Sequence, residues 1–313
     1  MGYGLGTGDR HADAMRVAAV LGLVASLALG TTAAAQELEP RAYAPNPTGA
    51  NFVLLGYVHS TGDVVFDPAV PITNVSARIN ANALFYGRTF GLFGRSASAA
   101  VQLPYVWGTI DGDVFEERRS VYRSGLGDLR VRLTTNLLGG PALAPREFAQ
   151  RRPRTTLGAS VVVVAPTGQY DPAKLINVGT NRWSFKPEVG LSYPAGRWFV
   201  ELYGGAWLFT NNDDFFGGSR REQQPLASFQ THVSYVFRPR LWLAGDATFY
   251  TGGRTTVDGV EKADLQRNSR FGLTLAVPVK RRSALKISWA RGLMTRVGGD
   301  FDTLAVGYQF LWF

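Results

Sequence analysis

Apolar and polar residues alternate one by one along much of this chain. Residues 74–87 read NVSARINANALFYG, and the two classes change places at almost every step. Successive side chains of a β-strand point to opposite faces, so this pattern predicts a strand with one apolar and one polar face. The same pattern recurs in LGDLRVRLTTNLL at 126–138, WSFKPEVGLSY at 183–193 and FQTHVSYVF at 229–237.

About 12 such segments, most of them about 10–13 residues long, fill the chain from residue 50 onwards, as expected for tilted strands of a membrane barrel. The predicted strands are 50–60, 74–86, 95–107, 126–138, 154–165, 183–193, 197–209, 226–237, 240–251, 268–278, 284–294 and 302–313. Short turns alternate with long polar loops, which lie at 108–125, 166–182, 210–225 and 252–267. The segment 139–153 is long where a short turn is expected, and the pattern gives no reason for it.

The polar faces of these strands meet either lipid or the barrel interior. An arginine or lysine that faces lipid near the bilayer midplane costs about 2–4 kcal/mol, so we expect the polar faces to point inward. Aromatic residues collect near strand ends, where amphipathic rings prefer the membrane–water boundary. A soluble sandwich also satisfies the alternation, but it does not account for these ends or for the final aromatic strand TLAVGYQFLWF. The predicted fold class is all-β, a single antiparallel transmembrane β-barrel of about 12 strands.

The beginning of the chain has the parts of a cleavable export signal. Arg16 precedes the apolar stretch VAAVLGLVASLALG, and the small residues TTAAA end at Ala35. The apolar stretch is shorter than the roughly 20 residues that a membrane-spanning helix needs. Met15 directly precedes Arg16 and is an alternative first residue. We therefore expect export and cleavage near Ala35.

The signal and the strand pattern divide the chain into three regions. Residues 1–35 are predicted to be the signal peptide, 36–48 a periplasmic N-terminal segment, and 49–313 the barrel in the outer membrane of a Gram-negative bacterium. The segment QELEPRAYAPNPTG contains proline and no strand pattern, so it either plugs the periplasmic mouth or hangs free. We expect both ends of the barrel domain on the periplasmic side.

The amino-acid composition excludes several kinds of chemical site and partner. The absence of cysteine excludes disulfides, iron–sulfur clusters and thiolate zinc sites. The formal net charge of +9 is not arranged in a basic helical stripe, so a nucleic-acid partner is not expected. Scattered solvated charges account for this balance, and the phosphates of lipopolysaccharide are the anionic partner we expect for an exported protein. The aromatic last strand is of the kind that the outer-membrane assembly machinery reads.

Polar and aromatic residues on the predicted interior faces are the candidates for the lining of the lumen. They either line an open path or fill the interior and stiffen the barrel. The lumen-lining candidates are Arg78, Asp128, Arg130, Arg132, Lys186, Glu188, Glu201, Tyr203, Trp207, His232, Asp246, Arg270 and Lys286. Phe199 and Phe209 share the interior phase with Tyr203 and Trp207, as an aromatic wall for apolar solutes or as core packing beneath a plug.

Catalysis has little support in the sequence. His232 and Ser234 share a strand face, but a lipid hydrolase also needs an orienting third group and an oxyanion site, and no motif supplies them. Paired acidic residues in the loops are candidates for calcium binding, yet solvated loop charges explain them as well. We predict no enzymatic activity, no cofactor and no metal.

Four stretches of the chain resemble the outer-membrane proteins of the MetA-pathway phenol degradation family, whose members are described as transporters. These stretches are EPRAYAPNPTGANFVLLGYVHSTGDVVFDP at 39–68, FGLFGRSASAAVQLPYVWG at 90–108, RSGLGDLRVRLTTNLLG at 123–139 and APTGQYDPAKLINVGTNRWSFKPEVGLSYP at 165–194. The resemblance implies a barrel that takes up aromatic compounds, and it carries no established site residues.

The function expected on these grounds is passive uptake of small hydrophobic or aromatic compounds across the outer membrane. The partners are membrane lipid, lipopolysaccharide, the assembly machinery and a small apolar solute. The alternative is a closed structural or interaction barrel with no transport role.

Overall fold

The computed structural model describes residues 39–65, 72–114 and 117–313, so the predicted signal peptide lies outside the described residues. In this part of the chain a short α-helix, α1 (Pro145–Ala149), and a 3-10 helical turn (Phe216–Gly218) accompany the strands. In chain order the strands are β1 (Asn51–Val65), β2 (Ile72–Leu92), β3 (Arg95–Val114), β4 (Glu117–Leu126), β5 (Leu129–Leu138), β6 (Thr156–Ala165), β7 (Ser184–Ala195), β8 (Trp198–Phe209), β9 (Asn212–Phe215), β10 (Ser219–Gln223), β11 (Leu226–Arg238), β12 (Leu241–Gly252), β13 (Thr255–Val257), β14 (Val260–Glu261), β15 (Gln266–Lys280), β16 (Ser283–Met294) and β17 (Gly298–Trp312). No helix in the described part of the chain is long and apolar enough to cross a membrane.

The strands form a closed antiparallel barrel of 12 strands, which confirms the predicted fold class. Closure takes place at β1, where Asn51 lies opposite both Trp312 of β17 and Arg88 of β2. The strands β4 and β5 both pair with β3 and are separated only by Gly127 and Asp128. They therefore act as two halves of one barrel strand. Every predicted strand overlaps a barrel strand of the structure.

The two ends of the barrel differ as the sequence predicts, except that most of the predicted loop 108–125 is strand, in β3 and β4. At one end, here named the short-turn end, two residues connect β2 to β3, β7 to β8, β11 to β12 and β15 to β16. At the other, here named the loop end, long connections follow β6, β8 and β12. The loops after β8 and β12 pair with each other in a small sheet of order β14-β13-β10-β9.

The long segment between β5 and β6 braces the short-turn end. Pro141 forms an isolated bridge with Arg95, and the N–H of Ser96 donates to the carbonyl of Gly140 at 2.9 Å. The N–H of Thr48 donates to the carbonyl of Leu143, also at 2.9 Å. The segment thus holds the β2–β3 turn and the chain that leads into β1, which explains its length.

Most strands turn their apolar side outward and their polar side inward. On β7, Val189 and Leu191 are exposed, whereas Lys186 and Glu188 on the opposite face are buried. The outward apolar positions form a belt, bounded by aromatic side chains at two levels. Towards the loop end the rings are Tyr57, Tyr105, Trp107, Trp183 and Phe185; towards the short-turn end they are Tyr86, Trp198, Tyr235, Phe237, Phe310 and Trp312.

The prediction for β2 is wrong in orientation. Ala77 and Ile79 point inward and are buried, whereas Arg78 is exposed on the outer face. Two physical reasons explain the reversal. The lumen beside β2 is filled by an apolar cluster that takes the apolar face of the strand. In addition, Arg78 pairs in register with Thr109, two positions beyond Trp107 towards the loop end, so its charge lies past the aromatic level and not in the belt.

We expect Val189→Arg to destabilise the barrel by about 2–4 kcal/mol, because Val189 faces outward midway between Phe185 and Tyr193 on β7. The measurement is equilibrium unfolding by urea in lipid vesicles. Leu293→Arg is the matched control, since Leu293 is 68% exposed and lies at the loop end of β16, past Arg291. Equal loss of stability in both variants would contradict the position assigned to the belt.

Candidate functional site: the barrel lumen

The N-terminal segment, residues 39–50, enters the lumen from the short-turn end. The N–H of Arg41 donates to Glu201 Oε2 at 2.7 Å, and the amide of Asn136 donates to the carbonyl of Tyr43 at 2.9 Å. The guanidinium of Arg41 lies over the ring of Phe199, 4.2 Å from its centroid. Of the two alternatives that the sequence leaves open, a plug or a free tail, the described residues form a plug.

Tyr43 lies in a recess of the barrel wall, here named the seat of Tyr43, which exists because two facing residues of the wall are glycine. Gly158 of β6 and Gly190 of β7 lie opposite each other in the sheet. A Cβ on Gly158 would lie 2.3 Å from the Tyr43 ring, and a Cβ on Gly190 would lie 2.2 Å from it. Tyr203 packs against the same ring edge-on, with 4.9 Å between the centroids, and Tyr43 is fully buried. Only residues without a side chain admit the ring here, so this part of the wall is shaped for the plug.

The carboxylate of Glu188 joins the plug to the barrel wall. Oε1 accepts a hydrogen bond from the Tyr43 hydroxyl at 2.9 Å, and Oε2 lies 2.6 Å from Lys186 Nζ. The amide of Gln230 donates to Oε2 at 3.0 Å, and Arg132 lies 3.5 Å from Oε1. Arg132 also pairs with Glu39 of the plug. A buried carboxylate with four partners is a well-satisfied charge, and removing it would leave Lys186 without this partner.

A second polar cluster joins β11, β12 and β15. His232 Nδ1 lies 2.7 Å from Asp246 Oδ1, and the Thr274 hydroxyl donates to Asp246 Oδ2 at 2.7 Å. The imidazole packs against Tyr203, with 4.9 Å between ring centroids. Ser234 Oγ is buried and has no hydrogen-bond partner among the described residues, so it is not bonded to His232 as a nucleophile would be to its base.

A cavity of about 280 Å³ lies in the lumen between the plug and the loop end. One wall, from β1, β2 and β3, is apolar and includes Val58, Ile79, Ala83 and Phe85. The remaining lining combines aromatic rings with charged groups: Trp207, Phe209, Tyr250, Phe301, Glu39, Asp128, Arg130, Arg182 and Arg270. The aromatic residues of β8 thus lie in two different places. Tyr203 packs against the plug, and Trp207 lines the cavity.

The loop 166–183 folds over the loop end of this cavity. Asp128, at the break between β4 and β5, accepts hydrogen bonds from the N–H of Gly168 and the N–H of Thr180, both at 2.9 Å, and from the Thr180 hydroxyl at 2.6 Å. Ile176, from the same loop, is buried in the apolar cluster beside β2. Further hydrogen bonds reinforce this attachment: the N–H of Gln169 donates to the carbonyl of Leu126, and Arg123 Nε donates to the carbonyl of Ile176, both at 2.8 Å.

The exposed part of the same loop carries an ion pair. Lys174 Nζ lies 2.8 Å from Asp171 Oδ2, and the N–H of Ala173 donates to Asp171 Oδ1 at 3.0 Å. The hydrogen bond from Lys174, followed by that from Ala173, holds the pKa of the Asp171 carboxyl below its usual value.

Nearly all candidates from the sequence lie on the interior side of the wall. Nine are buried: Asp128, Lys186, Glu188, Glu201, Tyr203, Trp207, His232, Asp246 and Arg270. Arg130, Arg132 and Lys286 are partly buried, and Arg78 is on the outside. The sequence pattern does not reveal Tyr43, Gly158, Gly190 or Arg182, because the plug and the loop have no alternation and the glycine pair exists only through strand register.

We expect Gly190→Ala to displace Tyr43 and to raise ion conductance, because the new methyl group would lie 2.2 Å from the ring. Single-channel recording of the refolded full-length mature protein in a planar bilayer measures this. Gly245→Ala is the matched control, since a Cβ at that strand glycine meets nothing within 4 Å. If Gly190→Ala conducts no better than the control, Tyr43 is not the element that closes the short-turn end.

We expect Asp128→Ala to loosen the loop 166–183, because three hydrogen bonds from Gly168 and Thr180 lose their acceptor. Each buried donor left unsatisfied costs about 1–3 kcal/mol, so tryptic cleavage after Lys174 should accelerate by about tenfold or more. Mass spectrometry of timed digests gives the rate. Asp213→Ala, an exposed aspartate in the next loop, should leave that rate unchanged; an unchanged rate in Asp128→Ala would contradict the fastening role.

The fold is shared with known outer-membrane barrels. The COG4313 outer membrane channel from Pseudomonas putida F1 superposes with a TM-score of 0.74 and 24% sequence identity, over 88% of this chain and 100% of that one. The β domain of the Bordetella autotransporter BrkA superposes with a TM-score of 0.51 and 9% identity, over 85% of this chain and 100% of that one. No curated protein sequence matches the chain significantly.

One protein family accounts for most of the chain. The model of the MetA-pathway of phenol degradation matches residues 46–310, a range that begins in the plug and ends in β17. The match covers far more than half of the chain and includes the glycine seat of Tyr43, the loop 166–183 and most of the lining of the cavity. The chain therefore belongs to the MetA-pathway of phenol degradation family.

Proposed function

We propose that the protein is an outer-membrane channel through which small hydrophobic or aromatic compounds pass by diffusion. The observation that carries this proposal is the cavity of about 280 Å³, with its apolar wall and its aromatic rings. An apolar cavity on the order of 150 Å³ accommodates benzene, so this one has room for a substituted single ring. Family membership supports the same function.

Passage requires no covalent chemistry. A solute enters past the loop 166–183, rests against Phe85, Trp207 and Phe209, and leaves when the plug yields at Tyr43. Burial of apolar surface and contact with aromatic faces favour the bound solute. The polar network around Glu188 keeps the plug in place between passages.

The same geometry supports one orientation in the membrane. The short-turn end, where the plug enters and β17 ends, is periplasmic, and the loop end faces outward, as in other bacterial outer-membrane barrels. After cleavage near Ala35, the assembly machinery recognises the aromatic last strand. Outward-facing Arg78, past the aromatic level of Trp107, contacts the phosphates of lipopolysaccharide.

A closed structural barrel is the second candidate, and one observation favours it. The plug fills the short-turn end and the loop 166–183 covers the loop end, so the cavity lies between two layers of protein. A transport channel would raise solute uptake by whole cells, whereas a closed barrel would leave it unchanged.

We expect cells that carry the protein to take up radiolabelled naphthalene several-fold faster than cells without it. Ala83→Trp should abolish this gain, because Ala83 is buried and lines the cavity. Leu84→Trp is the matched control: the next residue on β2 faces outward and is 50% exposed. The observable is the initial rate of uptake, with folding checked by heat-dependent gel mobility. A folded wild-type barrel that gives no gain would establish the structural alternative.

A further inference from the structure

The cavity lining contains two buried arginines, Arg182 and Arg270, whose hydrogen-bond acceptors among the described residues are neutral groups. Arg182 is 8% exposed, and its guanidinium lies 4.4 Å from the centroid of the Phe209 ring. Nη2 donates to the side-chain oxygen of Gln223, a neutral group. Nη1 has no acceptor among the described residues. The face of the Phe209 ring holds the guanidinium in place, and the guanidinium still has N–H groups that can donate to a ligand.

Arg270 repeats this arrangement on β15. It is 5% exposed, and Nη2 donates to the carbonyl of Phe301 at 3.0 Å and to the Thr303 hydroxyl at 3.3 Å. Both acceptors are neutral. Nε has no acceptor in the part of the chain that the structure describes. Arg182 and Arg270 line the same cavity, so their charges act on the same space.

The acidic groups of the cavity lining form their hydrogen bonds and ion pairs with other groups. Asp128 attracts Arg182, and Asp300 and Asp302 attract Arg270, without forming a direct ion pair. Asp128 accepts three hydrogen bonds from the loop 166–183, and Glu39 pairs with Arg132. A further donor in the lining, Trp207 Nε1, is buried without an acceptor among the described residues. Arginine and indole N–H groups only donate, so Arg182 Nη1, Arg270 Nε and Trp207 Nε1 each need an acceptor that the described residues do not supply.

A ligand that supplies acceptors and a negative charge would satisfy these groups. Burying a guanidinium without a counter-charge is unfavourable, and a carboxylate offers the planar pair of oxygens that matches the guanidinium fork. The rings of Trp207, Phe209 and Tyr250 in the same lining suit a flat apolar body. A neutral hydrocarbon would leave the donors unsatisfied.

We propose that the cavity is a binding site for small aromatic carboxylates, in which Arg182 and Arg270 hold the carboxylate and the aromatic residues hold the ring. The proposal rests on the proposed transport function and specifies its substrate class. It assigns Arg182 a role in selectivity, although this residue belongs to a loop and not to a barrel strand.

Isothermal titration of the refolded mature protein with benzoate and with benzyl alcohol tests the proposal. The two probes share the ring and differ in charge. We expect benzoate to bind at least about tenfold more tightly, which corresponds to about 1.4 kcal/mol. Arg182→Gln and Arg270→Gln should each remove this preference, and heat-dependent gel mobility shows that the variants fold.

Arg78→Gln is the matched control, because it removes the same charge from the outer face. Equal affinity of the wild type for both probes, or binding of neither, would overturn the proposal. Loss of the preference in Arg78→Gln as well would also overturn it, because the effect would then come from net charge. The naphthalene uptake measurement is independent of these outcomes, so transport of neutral compounds stands or fails separately.

Discussion

A lipid bilayer offers the peptide backbone no hydrogen-bond partner, and the rest of this structure depends on that constraint. Every strand must pair on both edges, so the first strand has to meet the last, as β1 meets β17. Closure of 12 strands then divides the side chains into an outer set that meets lipid and an inner set that does not. The buried charges of β7, Lys186 and Glu188, are a direct result of this division.

A ring of this size encloses a narrow space, and the chain fills much of it with its own groups. Opposite charges pair along the inner face of the wall, the N-terminal segment occupies the short-turn end, and the loop 166–183 covers the loop end. What is left is a cavity whose two sides differ: β1 to β3 contribute apolar side chains, and the opposite wall contributes aromatic rings and arginine. Selectivity therefore resides in the contents of the barrel more than in its diameter.

The sequence predicts the strands well, because alternation with a period of two is a direct consequence of strand geometry. On β7 the pattern gives both the limits and the correct face, and most inward candidates follow from it. The prediction fails on β2, because alternation alone does not tell which side of a strand faces inward. Arg78 avoids the energetic cost of a charge in lipid by lying past the aromatic level. The arrangement of residues inside the lumen is even harder to predict from the sequence. The seat of Tyr43 depends on Gly158 and Gly190 being opposite each other, which only the register of β6 and β7 determines. The charge of Arg182 enters the cavity from a loop, where no periodicity marks it.

The partners of the plug also set an order of events in folding. Arg41 bonds to a residue 160 positions further along the chain, and Tyr43 bonds to residues 93 and 145 positions further along. These partners lie on β5, β7 and β8, so the seat does not exist until that part of the wall has assembled. Residues that leave the ribosome early therefore reach their final contacts only after β5, β7 and β8 have formed.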